Sequence, residues 1–191
     1  MFAKEIVKEA GDYILAHMQE ELNIERKSSP TDLVTRLDKE VQNFLVDRIR
    51  SHYPDDQFCA EEGCLRASVG YGSVWVIDPI DGTNNFVAQG EDFAIMVAYF
   101  ENGVGQFGII YDVMKGHCYH GGGAFQACLN EELLPNFKDK PLRDFLIASN
   151  AGMLETNAWG VAELANASLG VRIYGSAAIS FSKILSGQLL T

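Results

Sequence analysis

The sequence contains no long hydrophobic run. Nowhere do about 18 consecutive apolar residues, enough to span a bilayer, occur together. The opening MFAKEIVKEAGDYI carries charges at helical intervals, which is not the pattern of a secretory leader. Both features predict a soluble, cytoplasmic protein with no membrane partner. Positive charge is also scarce: 15 Lys and Arg stand against 26 Asp and Glu, a formal net charge of −11. Such a surface repels a phosphodiester backbone and argues against general nucleic-acid binding. It still admits a small anionic substrate if bound cations reverse the field locally, although a solvated acidic surface that aids solubility has the same composition. Only four cysteines occur, Cys59, Cys64, Cys118 and Cys128, with no CxxC pair. The histidines at 17, 52, 117 and 120 supply no tetrahedral zinc spacing. Reduced, structural cysteines are expected. No GxxxxGK[ST] stretch is present, which counts against a nucleotide-binding domain, and neither repeats nor low-complexity tracts occur.

The hydrophobic fraction of 47% in 191 residues suffices for a substantial core. Ala3, Ile6, Val7, Ala10 and Ile14 share one face of a helix over 2–18. The polar stretch 23–35, broken by Pro30, reads as a loop or hairpin. A second helix carries Leu37, Val41, Phe44, Leu45 and Ile49 as its stripe and closes near Tyr53-Pro54. Strands are expected at 74–77, at 93–100 and 104–111 around the Asn102-Gly103 hairpin signal, and at 114–120, 145–149 and 171–174. Helices are expected near 156–167 and 177–187. Antiparallel pairing first and β-α alternation later predict an α+β protein.

The strongest local feature is DPIDGT at 78–83, directly after the short apolar run 74–77. Pro79 removes a backbone donor, so the chain is expected to leave the ladder there. Asp78 and Asp81, three residues apart on such a turn, can converge on one small volume. Like charges held close resist joint ionisation unless a cation compensates them, and hard oxygens on a tight turn suit Mg²⁺. Gly82 and Thr83 could present amides at the start of a short helix to a phosphate. The plainer alternative is that Asp78 and Asp81 only cap that helix. Glu61-Glu62 ends another strand-like segment, where alternation would let only one of the two face a pocket; alone, such a pair is usually a solvated turn. Thr35 and Asp38 have capping-box spacing, a role that leaves Asp38 free to orient a water as well. Lys27 by itself is an ordinary loop lysine.

KSSPTDLVTRLD at 27–38, YPDDQFCAEEG at 53–63, WVIDPIDGTNNFV at 75–87 and GSAA at 175–178 together resemble the inositol monophosphatase family in order and spacing. The resemblance spans essentially the whole chain. It implies a layered αβαβα sandwich with an N-terminal lobe over 1–140 carrying the metal site and a C-terminal lobe beginning at 141–191. It also implies hydrolysis of a small phosphate monoester by metal-activated water, with myo-inositol monophosphate as the leading substrate. A bisphosphorylated nucleotide, fructose 1,6-bisphosphate or NADP remain alternatives within that chemistry. By the same resemblance Glu61, Asp78 and the Ile80 carbonyl ligate a first Mg²⁺, and Asp78 and Asp81 a second. Two or three ions are expected in the complete enzyme, replaceable in binding by Mn²⁺ or Ca²⁺. Thr83 and Asp38 position and deprotonate the attacking water, with Glu62 beside them. The amides of Gly82 and Thr83, with Asp81, hold substrate; Gly175, Ser176 and Ala177 line its alcohol side; Lys27 steadies a nearby loop. A homodimer is implied.

The sequence departs from the family pattern at Asn84, where Thr is common, and at Ala88, where His is common. The family continues past Thr191 to a WDxAAG-type motif, so the C-terminal lobe is expected to be incomplete, with the second metal site one ligand short. The rival from another class is therefore a non-catalytic cation-binding module.

Overall fold

The computed structural model describes residues 2–27, 29, 32–136 and 139–190. Helices α1 (Phe2–His17) and α2 (Arg36–His52) pack side by side on one face of a large sheet. The α1 stripe Ala3, Ile6, Val7, Ala10 and Ile14 is buried, as its spacing requires. In α2, Leu37, Val41, Leu45 and Ile49 are buried and joined by Val46, while Phe44 is only half-buried. Gly11 has a packing reason: a Cβ there would lie 2.4 Å from the Tyr111 ring, so α1 could not approach the sheet. Between the helices, β1 (Glu25–Arg26) and β2 (Leu33–Val34) form the short hairpin expected of 23–35. Pro30, its expected breaker, lies outside the described residues.

The sheet runs β3-β4-β5-β6-β7-β8-β9 in sequence order. Strand β3 (Gln57–Ala60) lies parallel to β4 (Ser73–Asp81). The antiparallel strands follow: β5 (Ala94–Glu101), β6 (Val104–Asp112), β7 (His117–Gly122), β8 (Phe125–Leu129) and β9 (Glu132–Leu133). Trp75, Ile77, Ile95, Val97, Ile109 and Tyr111 alternate onto the helix side and join α1 and α2 in the main core. Each fully buried aliphatic side chain there is worth about 1.5–3 kcal/mol, so this helix-on-sheet layer dominates the stability. Asn102 and Gly103, at φ 48° and 84°, close the β5–β6 hairpin in the left-handed conformation that this dipeptide favours. Gly103, Gly105 and Gly108 have GxGxxG spacing, but they sit in that turn and an antiparallel strand, not in a strand-to-helix phosphate loop.

Several elements differ from expectation. Strand β4 does not end at Ile77. Its ladder with β5 shifts register between Asp78 and Asp81 and resumes at Asp81↔Ala94, a bulge that accommodates the missing donor of Pro79. Strand β7 begins at His117 rather than Met114, because Asp112 accepts hydrogen bonds from the Lys115 amide and ammonium and closes a turn first. Strands β8 and β9 were not expected. The single helix expected near 156–167 is reduced to a 3₁₀ turn (Ala158–Gly160) and α5 (Val161–Ala167), because Asn157, Trp159 and Gly160 all adopt positive φ, and it is preceded by α4 (Ala151–Glu155), which was not expected.

Strands β10 (Leu146–Ala148) and β11 (Gly170–Arg172) form a separate parallel pair. Helix α6 (Ala177–Leu185) lies on the second face of the large sheet, where Ala178 and Ile179 pack with Ala94, Met96 and Ile110. Helix pair, mixed sheet and α6 give the layered α+β arrangement. No described helix is long and apolar enough to cross a membrane.

Candidate metal and phosphate site

The site gathers at the C-terminal end of β4, where its bulge turns into α3 (Thr83–Gln89). Gly82 is the N-cap of α3 at φ 92°, a left-handed turn that suits glycine. Neither Asp78 nor Asp81 caps this helix, which corrects that alternative. The Asp78 carboxylate accepts from the Ile80 amide at 3.1 Å. Burial pushes the Asp78 carboxyl up to about 9, reinforced by the charges of Glu61 and Asp81 and by a hydrogen bond with Glu61.

Asp38 opens α2 and does two things. One oxygen accepts from the Thr35 amide at 2.8 Å and hydroxyl at 2.6 Å, completing the capping box. The other accepts from Thr83 Oγ1 at 3.1 Å, across 45 residues of chain. Burial raises the Asp38 carboxyl above its usual range, while the hydrogen bonds from Thr35 and Thr83 pull the other way. Thr83 Oγ1 also lies 3.0 Å from the Ile80 carbonyl. A hydroxyl has one hydrogen for these two acceptors and keeps lone pairs with which to accept from a water.

Lys27 donates to Glu61 at 2.8 Å and to Glu62 at 2.5 Å. Burial works against its charge, yet the two carboxylates outweigh this and hold its pKa above the ordinary lysine value. Both glutamates thus face one ammonium. Alternation does not govern this contact, because β3 ends at Ala60 and the pair lies beyond it, yet only Glu61 of the two lines the cavity beside Asp78. Glu62 is only 8% exposed, and Gln42 clamps its backbone in both directions at 2.7 Å. Gln42 went unnoticed in the sequence, although it lies four positions after Asp38 and therefore on the same helix face.

Asp81 is engaged by the start of α6. Its carboxylate accepts from the Ser176 hydroxyl, from the Ala178 amide at 2.8 Å and from the Ala177 amide at 3.3 Å, so it caps that helix from 95 residues away. Ser176 in turn accepts from the Ile179 amide at 3.1 Å. Glu61, Asp78 and Asp81 therefore do not close on a common point: among the described residues no three His, Cys, Asp or Glu side chains form a metal-holding group. Glu61 and Asp78 alone do suit a hard divalent cation. They are adjacent oxygen donors whose repulsion a cation would relieve, as the raised Asp78 carboxyl attests. Of the expected alcohol-side residues, Ser176 and Ala177 thus contact Asp81, and Gly175 packs on Asn85.

This fold, with a DPIDGT bulge whose Thr83 bonds the buried Asp38, is that of a metal-assisted phosphatase. The inositol monophosphatase family model matches residues 1–190, and the chain belongs to that family of phosphoric monoester hydrolases. It is 40% identical to an inositol-1-monophosphatase of Bacillus subtilis, over 98% of this chain and 72% of that protein. Inositol monophosphatase II of Staphylococcus aureus superposes with a TM-score of 0.86 at 37% identity, covering 98% of this chain and 71% of that one. An inositol monophosphatase/NADP phosphatase complexed with Mg²⁺ and phosphate superposes at 0.87 with 29% identity, covering 97% and 70%.

Proposed function

We propose that the chain hydrolyses a small phosphate monoester, with myo-inositol monophosphate as the leading substrate. The observation that carries this reading is the Asp38–Thr83 hydrogen bond. It joins the start of α2 to the start of α3, next to the Glu61–Asp78 pair. Glu61, Asp78 and the Ile80 carbonyl would hold Mg²⁺, and Asp81 with Asp78 a second ion. When bound, the cations supply a nucleophilic water at neutral pH and neutralise charge on phosphorus and on the departing oxygen. Thr83 accepts from the water and donates to Asp38, whose carboxylate receives the proton. Glu62, steadied by Gln42 and Lys27, stands behind Glu61. The amides of Gly82 and Thr83 seat the phosphate, and Gly175, Ser176 and Ala177 line the alcohol side. The protein is further proposed to act as a cytoplasmic homodimer, with its two lobes dividing near residue 140.

A phosphate-release assay with Mg²⁺ tests the reading. Asp38→Asn and Thr83→Ala are each expected to lower kcat by about 10²–10⁴-fold, the usual worth of positioned proton transfer. Turnover unchanged by both substitutions contradicts it. The engagement of Asp81 by α6 favours a second reading, a cation-binding module without turnover. Calorimetric Mg²⁺ binding in the absence of any phosphate release would decide for that reading.

A further inference from the structure

Asn85 ties together the two sides of the candidate site. It lies in the first turn of α3, half-buried, and its Nδ2 donates to the Asp92 carbonyl at 2.9 Å and to the Tyr174 carbonyl at 2.7 Å. Both partners only accept, so the amide orientation is fixed with nitrogen toward them. One of these bonds spans 89 residues. It holds the segment immediately before Ser176, whose hydroxyl and following amides grip Asp81. Glycines make the approach possible on both sides. A Cβ on Gly175 would fall 2.9 Å from Asn85 Oδ1, and Gly175 is already in a left-handed conformation at φ 69°. A Cβ on Gly82 would fall 3.0 Å from the Ser176 Cβ and 3.1 Å from the Asp92 carbonyl oxygen. The metal-side turn, the Asp92 loop and the 174–178 segment are thus in contact through one amide side chain.

We propose that Asn85 is a positioning residue for substrate selection: it sets where the 175–177 backbone stands relative to the phosphate seat. The inference rests on the proposed phosphatase reading and adds a determinant of which alcohol is accepted. Among the described residues the Asn85 amide holds the Asp92 and Tyr174 carbonyls and not Asp38, Glu61 or Asp78, so its loss bears first on the 174–178 segment. An amide holding two backbone carbonyls is also not replaced by an apolar side chain, because the carbonyls would lose their donors.

The experiment is a ³¹P NMR titration in Ca²⁺, with inorganic phosphate and myo-inositol 1-phosphate as probes. The proteins are the wild type, Asn85→Ala and Gly175→Ala, the last pressing on the same contact from the opposite side. Melting temperatures are recorded without metal. Both variants are expected to weaken inositol phosphate binding at least about tenfold, while inorganic phosphate affinity stays within about twofold. A general loss of structure would weaken both ligands in parallel, and that outcome overturns the inference. Unchanged binding of both ligands overturns it too. A wild-type protein that binds neither probe overturns the phosphatase reading itself, and the inference with it.

Discussion

Asp78 is the side chain whose chemistry depends most on its surroundings. Burial and the neighbouring Glu61 and Asp81 charges push its carboxyl to about 9, so the folded, metal-free protein holds this proton far more tightly than the unfolded chain does. The sign follows directly: the stabilisation is complete below about pH 4 and is lost as pH rises through about 9. In chelator, the melting temperature is expected to fall across that window, and Asp78→Asn to flatten the fall. A slope that Asp78→Asn leaves intact contradicts the assignment. Asp38 offers a second test, because the Thr83 hydroxyl is one of the influences lowering its raised pKa. Thr83→Val is therefore expected to move the Asp38 carboxyl further up, read from carboxyl ¹³C shifts; a downward move rules out the hydrogen bond. At this scale the sequence was partly readable. The capping box at Thr35 and Asp38 announced itself by spacing, and the second Asp38 oxygen, which the cap leaves free, accepts from Thr83. Asn85 gave no signal, since its partners are backbone carbonyls of residues without distinguishing chemistry.

Among the elements, α6 and the β4 bulge are joined by Asp81. Three donors converge on this carboxylate at the positive end of the α6 dipole. Asp81→Asn keeps one acceptor and turns an amide group toward donors, so a metal-free stability loss of about 1–2 kcal/mol is expected, in the range of a lost helix cap. Urea denaturation with an unchanged m-value measures it; a shift under about 0.3 kcal/mol, the scale of a neutral surface change, would mean that the cap contributes nothing. The DPIDGT motif pointed to a helix cap as one alternative but to the wrong helix, because a contact over 95 residues leaves no periodic trace. Elements with strong local patterns were legible: α1 from its 3.6-residue stripe, β5 and β6 from Asn102-Gly103. Strands β8 and β9 were not, since half-buried and exposed side chains there blur the alternation. Neither was the break at Trp159, which is 90% exposed and takes a positive φ that its residue type does not favour.

For the whole molecule, composition set the terms: a net charge of −11 is distributed over a fold whose site places carboxylates side by side. Two electrostatic costs follow, and they respond differently to ions. Dispersed surface repulsion is relieved by any salt, since the Debye length shrinks to about 8 Å at 0.15 M. The cost of ionising Asp78 beside Glu61 is short-range and arises at a half-buried carboxyl, so screening reaches it poorly, whereas a directly bound divalent cation offsets it. At matched ionic strength, millimolar Mg²⁺ or Ca²⁺ is therefore expected to raise the melting temperature well beyond NaCl. A cation at about a hundred times its Kd adds about 2.7 kcal/mol. Asp78→Asn should abolish this excess while leaving the response to NaCl in place, because it deletes the proposed ligand and hardly alters the total charge. Lys27→Met supplies the opposing control. It removes the ammonium that already neutralises Glu61 and Glu62, so stability without metal should drop and the gain from the divalent cation should grow. Equal stabilisation of all three proteins by NaCl and by the divalent cations would show that the ions act only on the general surface field.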